Sequence, residues 1–238
     1  MHSAIDGDTL LALWERALAQ PAAWRADILI GDAISRPPTL GERNTRLAVL
    51  HAHLFGREFE LLSHCPACAT VAQFSGDCGA LADAMPAEIA ATHHIVVDGH
   101  LIEFRLPTAE DVHAASLHED EEEFAFALLE RCMIACTHDG QSESPQCLPP
   151  AVLDALSQRM EALDPAASVS FALECPQCAA HWDARLDLAQ LVWQKLKAAA
   201  ERLLLDVDTL ARHYGWTERD VMALSPTRRA AYVQMAAP

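Results

Sequence analysis

The spacing of apolar residues along the chain changes several times, and each change marks an element. In DTLLALWERALA (8–19), Leu10, Leu11, Trp14 and Leu18 recur at helical intervals. A second short helix is expected over 22–31. ISRPP ends that pattern, because two prolines cannot sit inside a helix. Thr39 with Glu42 three residues on predicts a capping box, and the helix it opens runs to about Phe55 and stops at Gly56. VAQFSGD reads as a short strand, and the Ala-rich residues 79–91 as a helix with a break at Pro86. HIVVDGHLIEFRL predicts a hairpin, with two β-type runs flanking Asp98-Gly99, a type I′ turn signal. Thr108 with Asp111 caps another helix. The acidic run HEDEEE (118–123) opens a helix through FAFALLERCMIAC, its carboxylates offsetting the positive end of the helix dipole. Residues 137–148 read as a polar loop, AVLDALSQRMEAL as an amphipathic helix and SVSFALE as an alternating strand. A long helix is expected from Leu188 to His213, ended by Tyr214-Gly215-Trp216. Thr217 with Asp220 starts a short helix, and Ser225-Pro226 starts the last, with proline at its permitted first position.

Two stretches repeat. LLSHCPACAT (61–70) and LECPQCAAHW (173–182) each carry Cys-Pro-x-Cys. An offset of 110 aligns Cys65 with Cys175, Pro66 with Pro176, Cys68 with Cys178, Asp77 with Asp187 and Leu81 with Leu191, without a gap. Each unit reads as an apolar approach, a knuckle, a short strand, an Asp and the start of a helix. One knuckle supplies two thiolates, whereas a structural zinc ion wants four in a tetrahedron. Cys65, Cys68, Cys175 and Cys178 therefore predict one shared structural Zn2+ site, with the intervening residues as an insertion hanging from it. A thioredoxin-like redox pair is the rival, but it uses a single C-x-x-C at a helix start. Four thiolates would also leave no open position for catalytic water.

The resulting expectation is an α+β, mostly helical fold. Its segments are an N-terminal helical region (1–60), a split zinc-ribbon-like β element (61–81 plus 168–187), an insertion with a hairpin at 94–106 and helices (82–167), and a C-terminal helical region (188–238).

The remaining candidates read as structural. Cys132 and Cys136, four apart on an apolar helix, are core thiols. Cys78 aligns with Leu188, which argues for packing. His64 and His181 flank the knuckles and are candidates to support the ligands or replace one. His51 and His53 point to different sides of a helix, and His93, His94 and His100 have no partner at ligand spacing. No nucleophile elbow, phosphate loop, dinucleotide fingerprint or H-E-x-x-H is present, so no enzyme is expected.

Charge narrows the partners. Seventeen basic residues against 34 acidic give −17, a surface that phosphate backbones and anionic membranes repel. No apolar run approaches the roughly 18–20 residues of a membrane span, and the N-terminus lacks a signal-peptide pattern. A cytoplasmic, reducing setting is expected, where paired cysteines point to metal before disulfides.

The C-terminal stretch Y-G-W-T-E-R-D-V-M-A-L-S-P-T-R-R-A-A-Y (Tyr214 to Tyr232) resembles the tail of the myophage-type baseplate hub assembly chaperone family. FRLPTAED (Phe104 to Asp111) and the paired knuckles are similar to the branch found in contractile injection system and phage tail gene clusters. The resemblance spans roughly residues 39–238. It implies a non-enzymatic assembly factor or minor component of a contractile-tail baseplate, binding hub, spike or tape-measure proteins, and either leaving after assembly or staying in the assembled tail-like particle. Trp216, Arg228, Arg229 and Tyr232 are the candidate partner-binding residues. Two alternatives stay open at this level: a zinc-ribbon regulatory or interaction adaptor unrelated to tails, and a thiol oxidoreductase.

Overall fold

The computed structural model describes residues 6–31, 36–83 and 90–236. In chain order the elements are α1 (Gly7–Leu18), α2 (Arg25–Ile30), α3 (Leu40–Phe55), β1 (Glu58–His64), β2 (Val71–Asp77), α4 (Cys78–Asp83), β3 (His93–Val97), β4 (His100–Phe104), α5 (Ala109–Ala115) and α6 (Glu121–Cys132). They continue with β5 (Met133–His138), β6 (Gln141–Ser142), α7 (Pro150–Leu163), β7 (Ser170–Glu174), β8 (His181–Arg185), α8 (Leu188–Tyr214), α9 (Glu218–Met222) and α10 (Pro226–Ala236). The fold is α+β and mostly helical, with three small antiparallel sheets among the described residues: β1-β2, β3-β4-β5-β6 and β7-β8.

The described residues divide into two units. One holds α1, α2, the end of α3 and α8 to α10. Its core is Leu11 against Ala200 and Leu203, with Leu10, Trp14 and Met222 packed around them. The N-terminal helices, drawn from sequence as a region of their own, thus share a core with α8 and α9, because the apolar stripe of α1 needs a partner face to leave water. The second unit holds the first part of α3, all three sheets and α4 to α7. Ile102, Phe104, Cys132, Cys136, Val152, Leu156 and Met160 form its main core, where α7 covers one face of the four-stranded sheet.

The predicted caps form. Thr39 and Glu42 bond reciprocally ahead of α3 (2.8 and 3.2 Å), and Thr217 and Asp220 do so ahead of α9. Thr108 and Asp111 make the box of α5, and Asp120 caps α6. A cap not foreseen is Asp164, which is buried and accepts the Gly41 amide at 2.9 Å from far along the chain. A side chain on Gly41 would collide with that carboxylate, which is why glycine stands there.

Two expectations need correction. The helix opened by the acidic run does not continue through Cys136. It ends at Cys132, and Met133–His138 pair with β4 as a strand. Adjacent pairing outweighs local periodicity here, since β4 offers an open edge and Ile134 and Thr137 are β-branched. Cys132 and Cys136 remain core thiols, one on each element. The loop expected over 137–148 contains a second hairpin, β5-β6, turning on Asp139-Gly140. Of the Ala-rich helix, α4 ends at Asp83 and residues 90–91 are not helical, while the break placed at Pro86 lies outside the described residues.

Candidate metal centre

Each knuckle is shaped by its own backbone. Cys65 donates its amide to Thr70 O and Ala69 donates to Cys65 O, both at 2.9 Å. Cys175 repeats this with Ala180 and Ala179 at 2.9 and 3.0 Å. Ala69 and Ala179 take φ of 60° and 56°. That left-handed conformation costs a non-glycine residue roughly 1–2 kcal/mol, and it turns the chain so that both thiols of a knuckle face the same way. The hairpins carrying the knuckles match at the offset of 110, and α4 and α8 start at equivalent positions, Cys78 and Leu188, both buried.

The two hairpins meet. Phe171 packs on Phe59 (6.1 Å) and Phe74 (5.2 Å), Trp182 Nε1 donates to Ser63 Oγ at 3.1 Å, and Thr70 Oγ1 donates to Gln177 Oε1 at 2.7 Å. Gly76 lies under Phe59 and Phe171, where a Cβ would sit 2.4 and 3.0 Å from ring atoms.

This packing brings all four predicted ligands together. Their sulfurs lie within 4.8 Å of one another, with Cys65–Cys178 and Cys68–Cys175 at 3.6 Å, pairs 113 and 107 residues apart in sequence. Four thiolates around one ion at about 2.3 Å give sulfur–sulfur edges of about 3.8 Å, whereas a disulfide needs about 2.05 Å. The spacing fits a metal ion, and none of the four sulfurs is in a disulfide. The Thr70 hydroxyl beside Cys68 lowers that thiol to about 6. At Cys178 an Ala180 amide favours the thiolate, but the neighbouring sulfurs, Cys68 first, outweigh it and push the thiol up to about 12. Four thiolates this close repel one another, and a cation among them offsets that repulsion. His64 and His181 pair with Val71 and Glu174 across their strands and stand outside the sulfur cluster.

The candidate partner residues form a different structure. Trp216 stacks on Tyr214 (4.8 Å) and meets Tyr232 edge-on (5.0 Å), making a three-ring elbow where α8, α9 and α10 converge. The two arginines part company. Arg228 is exposed, whereas Arg229 turns inward to Asp206 on α8 at 3.4 Å, with only 13 % of its side chain exposed. A cleft near the elbow is lined by Leu10, Leu203, Met222 and Leu224 together with Asp206 and Arg229.

Sequence reasoning missed one cluster: His100, His138 and Glu143, at one end of the four-stranded sheet, whose ligand atoms also lie within 4.8 Å of one another. The available signal was a histidine beside each of two Asp-Gly turns. No helix among the described residues is long and apolar enough to cross a membrane. No protein-family model, curated protein or solved structure matches the chain.

Proposed function

We propose that the protein is a non-enzymatic assembly factor or minor structural component of the baseplate of a contractile tail or contractile injection system. In this reading Cys65, Cys68, Cys175 and Cys178 hold a structural Zn2+. The observation that carries the reading is the C-terminal elbow. The segment bearing the family resemblance folds as one aromatic cluster, with half-buried Trp216 and Tyr232, exposed Arg228 and a cleft of mixed apolar and charged lining alongside. Half-buried aromatic rings next to an arginine are a common composition for a protein-docking surface. A closed four-sulfur site suits a structural ion, since it leaves no position for substrate or water. Such a clamp would fix the hairpins before any partner arrives and so lower the ordering cost of binding.

The protein then works in the cytoplasm, where hub, spike or tape-measure proteins are held until assembly, and enters the tail-like particle if it stays bound. Arg229 supports the elbow through Asp206, and Arg228, Trp216 and Tyr232 meet the partner. Affinity capture of the tagged chain from cells expressing its neighbouring genes, followed by mass spectrometry, tests this. Hub, spike or tape-measure proteins should co-purify, and Trp216→Ala with Arg228→Glu should lose them without unfolding. Capture without any tail protein sinks the reading.

A further inference from the structure

The four-stranded sheet ends in two tight turns on the same side. Asp98-Gly99 joins β3 to β4 with φ of 48° and 79°, and Asp139-Gly140 joins β5 to β6 with φ of 49° and 80°. His100 opens β4 and His138 closes β5. The register places them directly opposite each other, so their side chains share a face and their rings stack at 4.2 Å. Gly99 leaves room for this, since a Cβ there would sit 3.2 Å from the His138 ring. Glu143 follows β6, and its amide is pinned to Cys136 O at 3.0 Å. That hydrogen bond carries the carboxylate onto the histidine face.

With a neutral His100 imidazole, the cluster is left without a cation. His100 is 4 % exposed, and its Nδ1 lies 3.0 Å from Asp98 O, a carbonyl that can only accept, so Nδ1 carries the proton. A ligating histidine is usually held this way, by a hydrogen bond from its other ring nitrogen. The free nitrogen, Nε2, faces Glu143 Oε2 at 3.0 Å. Oε2 is buried and accepts no hydrogen bond among the described residues, so the short approach is not a well-directed one. A buried carboxylate oxygen facing an imidazole lone pair is costly in that state. An ion about 2.0–2.2 Å from both atoms would lie off the line joining them, at roughly a right angle between the two bonds. His138, half exposed, completes the set from the solvent side.

We propose that His100, His138 and Glu143 form a second metal site, separate from the cysteine clamp, that takes one borderline divalent transition ion such as Zn2+, Co2+ or Ni2+. Two imidazoles and a carboxylate suit those ions and disfavour Ca2+ and Mg2+, which want oxygen ligands. The solvent side of the ion stays open to water. The site needs no metal in the clamp, because its three residues are set by sheet register and two turns.

Cobalt titration of the full reduced chain, as isolated, tests this. Cobalt bound by thiolates shows sulfur-to-metal charge transfer, and cobalt bound by two nitrogens and an oxygen does not. The wild type should bind one Co2+ without charge-transfer bands, counted by equilibrium dialysis. His138→Ala and Glu143→Gln, two partly exposed positions, should each weaken that equivalent by about 100-fold or more while keeping the wild-type circular dichroism. Wild-type protein binding no such equivalent overturns the proposal and leaves His100 and Glu143 as a simple ion pair. Variants that bind it as tightly as wild type overturn it too. A missing thiolate site, revealed by elemental analysis of the isolated protein and by absent charge transfer, counts only against the cysteine clamp.

Discussion

The cysteine clamp and the His100–His138–Glu143 cluster both gather ligand-type side chains, and they do so by opposite routes. Each half of the clamp is local. A proline-led knuckle sets two thiols three residues apart, and only the meeting of two such halves is tertiary. The histidine cluster has only one local piece, His138 and Glu143 across the β5-β6 turn. His100 and His138 meet through strand register, and Glu143 joins by one backbone hydrogen bond beyond a turn. A site built from repeated local motifs announces itself in sequence, while one built from register leaves only a faint mark, here a histidine beside each of two Asp-Gly turns, until the strands are paired.

The largest expected effect breaks the clamp. Cys65→Ser removes one of the four clustered sulfurs at a buried position, one ligand of the proposed zinc site. Structural zinc contributes roughly 10–16 kcal/mol in small zinc peptides, so the variant should lose its metal and melt more than about 10 °C lower. Elemental analysis with a thermal melt checks this, and retention of both metal and melting temperature would refute a shared site.

Next comes the opposite end of the four-stranded sheet. Burial alone would raise the Asp111 carboxyl. Hydrogen bonds from Arg105 (2.6 and 2.8 Å) and Thr108 outweigh it and hold that group well below the usual carboxylate range. Arg131 adds a contact at 3.2 Å. Asp111→Asn should cost about 1–3 kcal/mol in urea unfolding, since it removes the charged acceptor at a buried position while both arginines keep access to water. Because the folded value is depressed, this stability is present above the ordinary carboxylate pKa of about 4. It is lost as pH falls toward the folded value, so the variant should show a flatter acid limb in stability against pH.

Two glycine substitutions sharpen the contrast between the sites. Gly76→Ala forces a methyl group into Phe59 and Phe171 and should destabilise the clamped hairpins by about 1–3 kcal/mol. Gly99→Ala strains a residue at φ 79° beside the His138 ring, at a cost of about 1 kcal/mol. Denaturant midpoints with metal counts should show the first disturbing only the clamp and the second only the histidine cluster.

The smallest effect separates the arginines. Arg229→Ala loses a partly buried ion pair and should cost about 1 kcal/mol, while exposed Arg228→Ala should leave the unfolding midpoint unchanged. Equal effects would contradict the inward turn of Arg229.

Much of the helical framework was legible because its signals are short-range. The Thr39–Glu42, Thr108–Asp111 and Thr217–Asp220 boxes need only residues three apart, and the Asp98-Gly99 hairpin needs only its turn. The strand over Met133–His138 was hidden, because FAFALLERCMIAC carries helical spacing and its fate depended on the free edge of β4. The Asp164 cap was hidden for a related reason, as its partner, Gly41, is 123 residues away.

The sequence by itself determined the knuckles, the three capping boxes, the Asp98-Gly99 turn and most of the helices, since each rests on dihedral preferences and contacts within a few residues. Tertiary structure decided that the two knuckles face one another, that Arg229 points inward and Arg228 outward, and that two histidines and a glutamate share one end of a sheet. Those outcomes depend on which distant surfaces bury each other, a choice that no short window of sequence contains.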